Sequence, residues 1–398
     1  MTSQSMTRDA LGHDELPALV EKAVACVAGE LGSSRFPRSV LESLGASGVI
    51  RRRWDSDTEL GCPAGDVEFG IRLGEELVTR VPTGVASGVS VHCETVLSML
   101  HRFGTNDYLR EVRDDALAGR AVGCVAASEA HAGSDLSSVT TLARRTGDGW
   151  VVSGRKKYVS LGAVADFAIV LCRVTRPDGT ISDRNATFVV PLADTELIRE
   201  HDKLGTHILD TVVLDFVDIE LPGEAVLGRV GLGLLNLNYG LSFERLSIAA
   251  QLVAGCQAAI SLAVEHSERR IQFGKRLRDH QYLAFRMAEG QAEIDVLKGA
   301  VTSLARDLMT EGLDRRSISR IASLKLRAAR TGERIMSDAM QVFGGVAYLP
   351  QETPIGQFWI DSRVGRIAGG TDEMMLAIIA DSMCGDSSLY DRLVTISQ

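Results

Sequence analysis

The chain has 398 residues, of which 45% are hydrophobic and 24% charged, with seven cysteines and a formal net charge of −9. That length allows roughly two or three domains with real cores. The acidic balance argues against a general nucleic-acid binder, which needs a basic surplus to meet phosphates.

The N-terminal stretch "MTSQSMTRDALGHDELPALV" lacks the charged-then-apolar layout of a signal peptide. "HDELPALVEKAVACVAGEL" reads as a helix with Asp14 as a cap and Pro17 near its first turn. "PRSVLESLGASGV" reads as a second helix closed by Gly45 or Gly48, and "DVEFGIRLGEELVTRV" and "GVSVHCETVLSMLHRFG" continue the helical spacing. The run Arg51, Arg52 and Arg53 is either a solvated face or a contact for an anionic ligand or partner. Between residues 121 and 230 the texture changes: "VVSGRKKYVS", "DFAIVLCRVT", "ATFVVPL" and "TVVLDFVDIEL" are rich in β-branched residues. Turns at Gly147, Asp148 and Gly149 and at Pro177, Asp178 and Gly179 separate them. Beyond Gly233 helical spacing returns in four segments, at 241–270, 280–309, 319–345 and 371–384, which suit a bundle. The most apolar stretch, "LSIAAQLVAGCQAAISLAVEH", is interrupted by Ser247, Gln251, Gln257 and Ser261, so a buried helix is expected rather than a membrane span. The seven cysteines form no CxxC pair and are odd in number. No disulfide framework or zinc site is suggested, and a cytoplasmic location is expected.

Three motifs resemble the acyl-CoA dehydrogenase family. They are "ASEAHAGSDLSSVTTLARRTGDGWVVSGRKKYVSLGAVADFAIVLCRV", "FERLSIAAQLVAGCQAAISLAVEHSERRIQFGKRLRDHQ" and "QVFGGVAYLPQETPIGQFWIDSRVGRIAGGT". The resemblance implies an α+β multidomain fold: an N-terminal helical domain over 1–120, a small β-barrel-like domain over 121–230, and a four-helix bundle over 231–398. It also implies FAD as cofactor and a homotetramer built as a dimer of dimers.

The same resemblance assigns residues. Ser128 matches the position at the pyrimidine edge of the flavin, and Ser134 lies in the adjoining AGSD turn. Tyr158 matches an aromatic wall that is usually Trp, and Ser160 a hydroxyl near flavin N5. Arg270 and Phe273 match an "RxxFG" turn whose guanidinium meets the pyrophosphate of FAD held mainly by a neighbouring subunit; Gln281 follows in the same segment. Gln341, Gly344 and Gly345 match the stretch that lies along the FAD adenosine and pyrophosphate. Thr371 and Glu373, at the head of the last helix, are assigned to the cofactor as well. Read alone, each is ordinary strand, turn or helix-end chemistry; Thr371 also reads as an N-cap.

Two departures stand out. The family's "TEPGAGSD" is "SEAHAGSD" here, with Ala130 and His131 replacing Pro and Gly, so His131 either lies on the surface or lines the substrate mouth. The usual "PEEYGG" stretch, near where substrate enters, is replaced by "RRRWDSDTELG".

The loop "RIAGGTDEMM" carries Gly369 where many members have the catalytic Glu of "YEGT". Long-chain and isovaleryl branches instead place that Glu in an "ER" pair on the first bundle helix, and this chain has Glu244 and Arg245 there. The resemblance thus implies Glu244 as base, with the Gly369 N–H and a ribityl hydroxyl polarising the thioester carbonyl. The implied reaction is α,β-dehydrogenation of an acyl thioester, on CoA or a carrier protein, to a 2-enoyl thioester. The electron acceptor, an electron-transfer flavoprotein or oxygen, stays open. So do a same-fold flavin oxidase or monooxygenase in natural-product tailoring and a non-catalytic flavoprotein.

Overall fold

The computed structural model describes residues 12–394 apart from 28, 31–33, 55–63 and 177. The expected turn residue Pro177, Cys62 and most of the replaced stretch after Trp54 lie outside the described residues.

The chain opens with helices α1 (Leu16–Val27), α2 (Ser39–Ala46), α3 (Val49–Trp54), α4 (Val67–Val78) and α5 (Thr83–Ser90). Gly48, at φ +81°, separates α2 from α3. Asp66 caps α4 by accepting the Phe69 N–H at 2.9 Å. The helix expected over 88–104 is not uniform. A π turn (Val91–Val96) joins α5 to α6 (Leu97–Phe103), and this wider turn changes which face the following residues occupy. Helix α7 (Asp107–Leu117), capped by Asn106, completes the region.

Eight strands follow: β1 (Gly123–Ala126), β2 (Leu142–Thr146), β3 (Gly149–Ser160), β4 (Phe167–Thr175), β5 (Ile181–Pro191), β6 (Glu196–Glu200), β7 (Thr211–Leu221) and β8 (Val226–Leu227). Their order is β6-β7-β3-β2-β4-β5-β8. β1 and β2 run parallel to β4, at Phe167 through Val170 and at Arg173 and Val174 respectively. The register of β3 against β7 slips between Lys156 and Val159. Tyr158 sits in that bulge at φ +63°, which turns its ring outward, and it is 58% exposed. The N-terminal helices and the sheet share one core, in which Leu41, Phe69, Val96 and Leu97 meet Phe167, Ile169 and Phe188.

The last region contains α8 (Gly233–Arg269), α9 (Gln281–Glu311), α10 (Arg315–Phe343), α11 (Ile355–Ser362), α12 (Asp372–Ser382) and α13 (Ser387–Leu393). Helices α8, α9 and α10 are long, at 37, 31 and 29 residues. The fourth expected long helix is shorter: α12 has 11 residues and packs on α10. α4 packs on both α8 and α9, and Val67 joins their core with Phe243, Ile260 and Ile335. By length and composition alone α8 could cross a membrane, but half of its apolar window is buried within the protein. Between α8 and α9 a small hairpin, β9 (Ile271–Gln272) and β10 (Lys275–Arg276), turns at Phe273 and Gly274, both with positive φ.

Candidate active site

Glu244 and Arg245 project from the N-terminal half of α8 toward the loop before α12. Arg245 donates from Nε to the Gly369 carbonyl at 2.7 Å and from Nη1 to Asn238 at 2.9 Å. Lys325, fully buried on α10, donates to the Gly370 carbonyl at 2.5 Å. Two cations therefore hold two successive carbonyls of the loop. Gly369 and Gly370 have φ of +66° and +103°, conformations that favour glycine. A Cβ on Gly369 would stand 3.6 Å from Glu244 Oε1. The double glycine is thus a turn and also the opposite wall of the space beside the Glu244 carboxyl.

Glu244 accepts a hydrogen bond on Oε2 from Thr95 Oγ1 at 2.9 Å. Burial pushes its carboxyl above the usual carboxylate range; the Thr95 hydroxyl and the charges of Arg245 and Lys325 pull the other way. Burial also lowers Arg245 to about 10 and Lys325 to about 8. The loop's far side is pinned by buried Asp372, which pairs with Arg330 at 3.0 Å and Arg366 at 2.7 Å. Thr371 accepts from the Met374 N–H and caps α12, while Glu373 is exposed at its head.

A second group lies on the sheet domain. The hydroxyls of Ser128, Ser134 and Ser160 meet no hydrogen-bond partner among the described residues. Their support is Glu129, which is buried and accepts from Lys156 at 2.8 Å and from the backbone and hydroxyls of Thr140 and Thr141. Burial alone would raise Glu129, but the bonds from Lys156, Thr140 and Thr141 outweigh it and hold the carboxyl at about 2. Tyr158 stacks on His201, with ring centroids 5.4 Å apart. His131 is largely exposed, 3.7 Å from Glu129, with Nε2 3.3 Å from the Ser138 carbonyl.

A third group sits at the far end of the bundle. His266 stacks on Phe343 at 4.2 Å and ties the ends of α8 and α10 together. This brings the turn with Arg270 and Phe273 to the same end as Gln341, Gly344 and Gly345. Arg270, Gln281 and Gln341 are exposed, and Phe273 is 95% exposed. No atom lies within 4 Å of a Cβ placed on Gly344 or Gly345. Arg270 follows Glu244 by 26 positions along one helix, so the two groups stand roughly 39 Å apart.

The arginine run reads differently in three dimensions. Arg53 is fully buried and pairs with Glu94 at 3.0 and 2.8 Å, and Arg52 pairs with Asp66 at 2.7 Å. These two are therefore internal contacts rather than a docking face for an anionic partner. Sequence reasoning also missed Thr95, Lys325 and Asn238. Lys325 had a faint signal, a lysine on the apolar side of a patterned helix; Thr95 had none, because its direction depends on the π turn.

Residues 124–219 match the family model described as acyl-CoA dehydrogenase, middle domain, and residues 231–384 the one described as acyl-CoA dehydrogenase, C-terminal domain. The chain is 37% identical over 382 residues to the acyl-[acyl-carrier-protein] dehydrogenase MbtN of Mycobacterium bovis, covering 96% of each chain. It is 30% identical over 302 residues to the mitochondrial long-chain specific acyl-CoA dehydrogenase of Mus musculus, covering 75% of this chain and 69% of that one. Among solved structures, butyryl-CoA dehydrogenase from Megasphaera elsdenii superposes with a TM-score of 0.83 at 25% identity, covering 94% of this chain and 98% of the other. In fold and sequence alike, the chain belongs to the acyl-CoA dehydrogenase family of oxidoreductases.

Proposed function

We propose that this protein oxidises a saturated acyl thioester to the 2-enoyl thioester, using FAD, with Glu244 as the base. The observation that carries the reading is the meeting of Glu244 with Gly369: a recessed carboxylate faces the loop position left bare of a side chain. Bound FAD supplies an acceptor for the hydride that leaves the β-carbon with its electron pair. The Glu244 carboxylate takes the α-proton, and the remaining electrons form the α,β double bond. Burial strengthens Glu244 as a base, while Thr95, Arg245 and Lys325 oppose complete loss of its charge. Arg245 and Lys325 fix the loop through the Gly369 and Gly370 carbonyls. The Gly369 N–H has no acceptor among the described residues and can donate to the thioester carbonyl.

The residues suit a flavin dinucleotide. Ser128, Ser134 and Ser160 offer unpaired hydroxyls, and Tyr158 offers an outward ring, for the isoalloxazine end. For Thr371 and Glu373, at the head of α12, a place beside the cofactor rests on the family resemblance. Arg270, with no ion pair among the described residues, and the uncrowded Gly344 and Gly345 suit the pyrophosphate and adenosine, with Phe273, Gln281 and Gln341 beside them. The separation of roughly 39 Å along α8 exceeds the span of one FAD, so this distal set serves a cofactor held by another subunit. Phe273, Tyr282, Phe285 and Val296 expose large apolar side chains along the hairpin and α9, which suits assembly into a homotetramer. The six described cysteines carry free thiols, in keeping with a reducing cytoplasm. Carriage of the acyl group on a carrier protein rests on the likeness to MbtN.

The test is anaerobic titration of the yellow enzyme with acyl thioesters on CoA and on carrier protein. Flavin bleaching with release of a 2-enoyl thioester supports the proposal. Failure of every thioester to bleach the flavin, or product formation only with stoichiometric oxygen uptake, overturns it.

A further inference from the structure

Four successive residues of the π turn face four different partners. His92 accepts the Gly123 N–H on Nδ1 at 3.1 Å, at the start of β1. The Cys93 carbonyl takes the Trp54 indole N–H at 2.7 Å. Glu94 receives both forks of Arg53, whose guanidinium lies 3.9 Å from the Trp54 ring. Thr95, fully buried, donates to Glu244. Successive residues of any helix point in different directions, so what the π turn sets is their phase relative to the helices on either side. The wider turn shifts that phase, and Arg53 and Trp54 pair with its Glu94 carboxylate and Cys93 carbonyl.

We propose that Thr95 is a positioning residue for Glu244, held at its post by a π turn that Arg53 and Trp54 lock from the N-terminal helices. The inference rests on Glu244 being the base. A hydroxyl suits the task in both halves of the proton transfer. It donates to Oε2 of the carboxylate that awaits the α-proton, and Oε2 remains an acceptor once Oε1 has received it. Fixing Oε2 leaves Oε1, the oxygen nearer Gly369, to face the substrate. The charged groups around Glu244 are Arg245 on its own helix and Lys325 from α10, with Asp372 and Arg366 behind Lys325. From the π turn, Glu94 is neutralised by Arg53. Thr95 is therefore the neutral donor that can be removed without changing the charge of the site.

The experiment compares Thr95→Val and Thr95→Ser with the wild-type holoenzyme. The rate constant for anaerobic flavin reduction by an acyl thioester is followed against pH, and the Glu244 carboxyl is titrated independently by infrared difference spectroscopy against Glu244→Gln. Loss of a donor to the charged form raises the carboxyl pKa. The acid limb of Thr95→Val should move up by about one unit, and its rate below that limb should fall about tenfold. FAD content should be retained, and Thr95→Ser should restore the limb. An unshifted limb and unshifted infrared titration in Thr95→Val overturn the positioning role. So does a Thr95→Ser variant that behaves like Val. If Thr95→Val does not fold, Thr95→Ser and the infrared band decide alone: a Ser carboxyl titrating away from wild type refutes the proposal. Glu244→Gln separates the two claims. If that variant still bleaches at the wild-type rate, the base assignment itself fails; if it is inactive while Thr95→Val is unshifted, only the inference fails.

Discussion

Moving the carboxylate across the active site tests whether Gly369 and Glu244 address one proton. Glu244→Gln keeps size and hydrogen bonding and removes basicity, which general-base catalysis values at about 10²–10⁴-fold. Gly369→Glu added to that variant restores a carboxylate from the opposite wall. Its Cβ would lie 3.6 Å from the position of Glu244 Oε1, 3.2 Å from Ile248 Cδ1 and 3.4 Å from Arg245 Cγ. The methyl end of Ile248 can yield by the few tenths of an ångström required. The backbone cannot yield as readily: φ at 369 is +66°, and an L-residue there costs about 1–2 kcal/mol. If that strain is felt in the reactive state, it amounts to about tenfold in rate. The double variant should therefore reduce its flavin faster than Glu244→Gln and no closer than about tenfold to wild type. Anaerobic stopped-flow bleaching with one acyl thioester, at matched FAD content, gives the three rates. A double variant that keeps its FAD and is no faster than Glu244→Gln would refute the claim that the two positions reach the same proton.

Arg270→Ala should lower FAD retention and loosen the oligomer together, read by bound-flavin absorbance and by sedimentation. Full FAD content with intact assembly would count against the cross-subunit role. Glu129→Gln leaves the Lys156 ammonium buried without its counter-charge and should destabilise the fold by about 3–5 kcal/mol in denaturant unfolding. Because the folded Glu129 carboxyl is held at about 2, below its usual value, its contribution is complete above that usual value and fades as pH falls toward about 2. The destabilisation by Glu129→Gln should shrink over that same acid window.

How much of this was readable from the residues depends on the range of the interactions. The long bundle helices and the main strands declare themselves by period and β-branching, because those signals are local. The short strand β1 and the edge strand β6 do not, since their places are fixed by pairing with β4 and β7. The pairing of Glu244 with Gly369 was legible only through resemblance, as 125 positions separate them in the chain. The internal pairing of Arg53 is not readable from the run, because nothing local reports that Glu94 lies opposite it and that Trp54 and Phe243 enclose the guanidinium. Thr95 was invisible for a related reason. Regular helical spacing assigns it to one face, and the π turn moves it to another.

The central claim is that Glu244 takes the α-proton, and its most direct test is the single Glu244→Gln variant. The measurement is the rate constant for anaerobic flavin bleaching by a saturated acyl thioester, with FAD content and thioester binding determined on the same sample. Retained FAD, retained binding and a fall of at least about 10²-fold in the rate are expected. Bleaching at the wild-type rate would contradict the claim and place the base elsewhere.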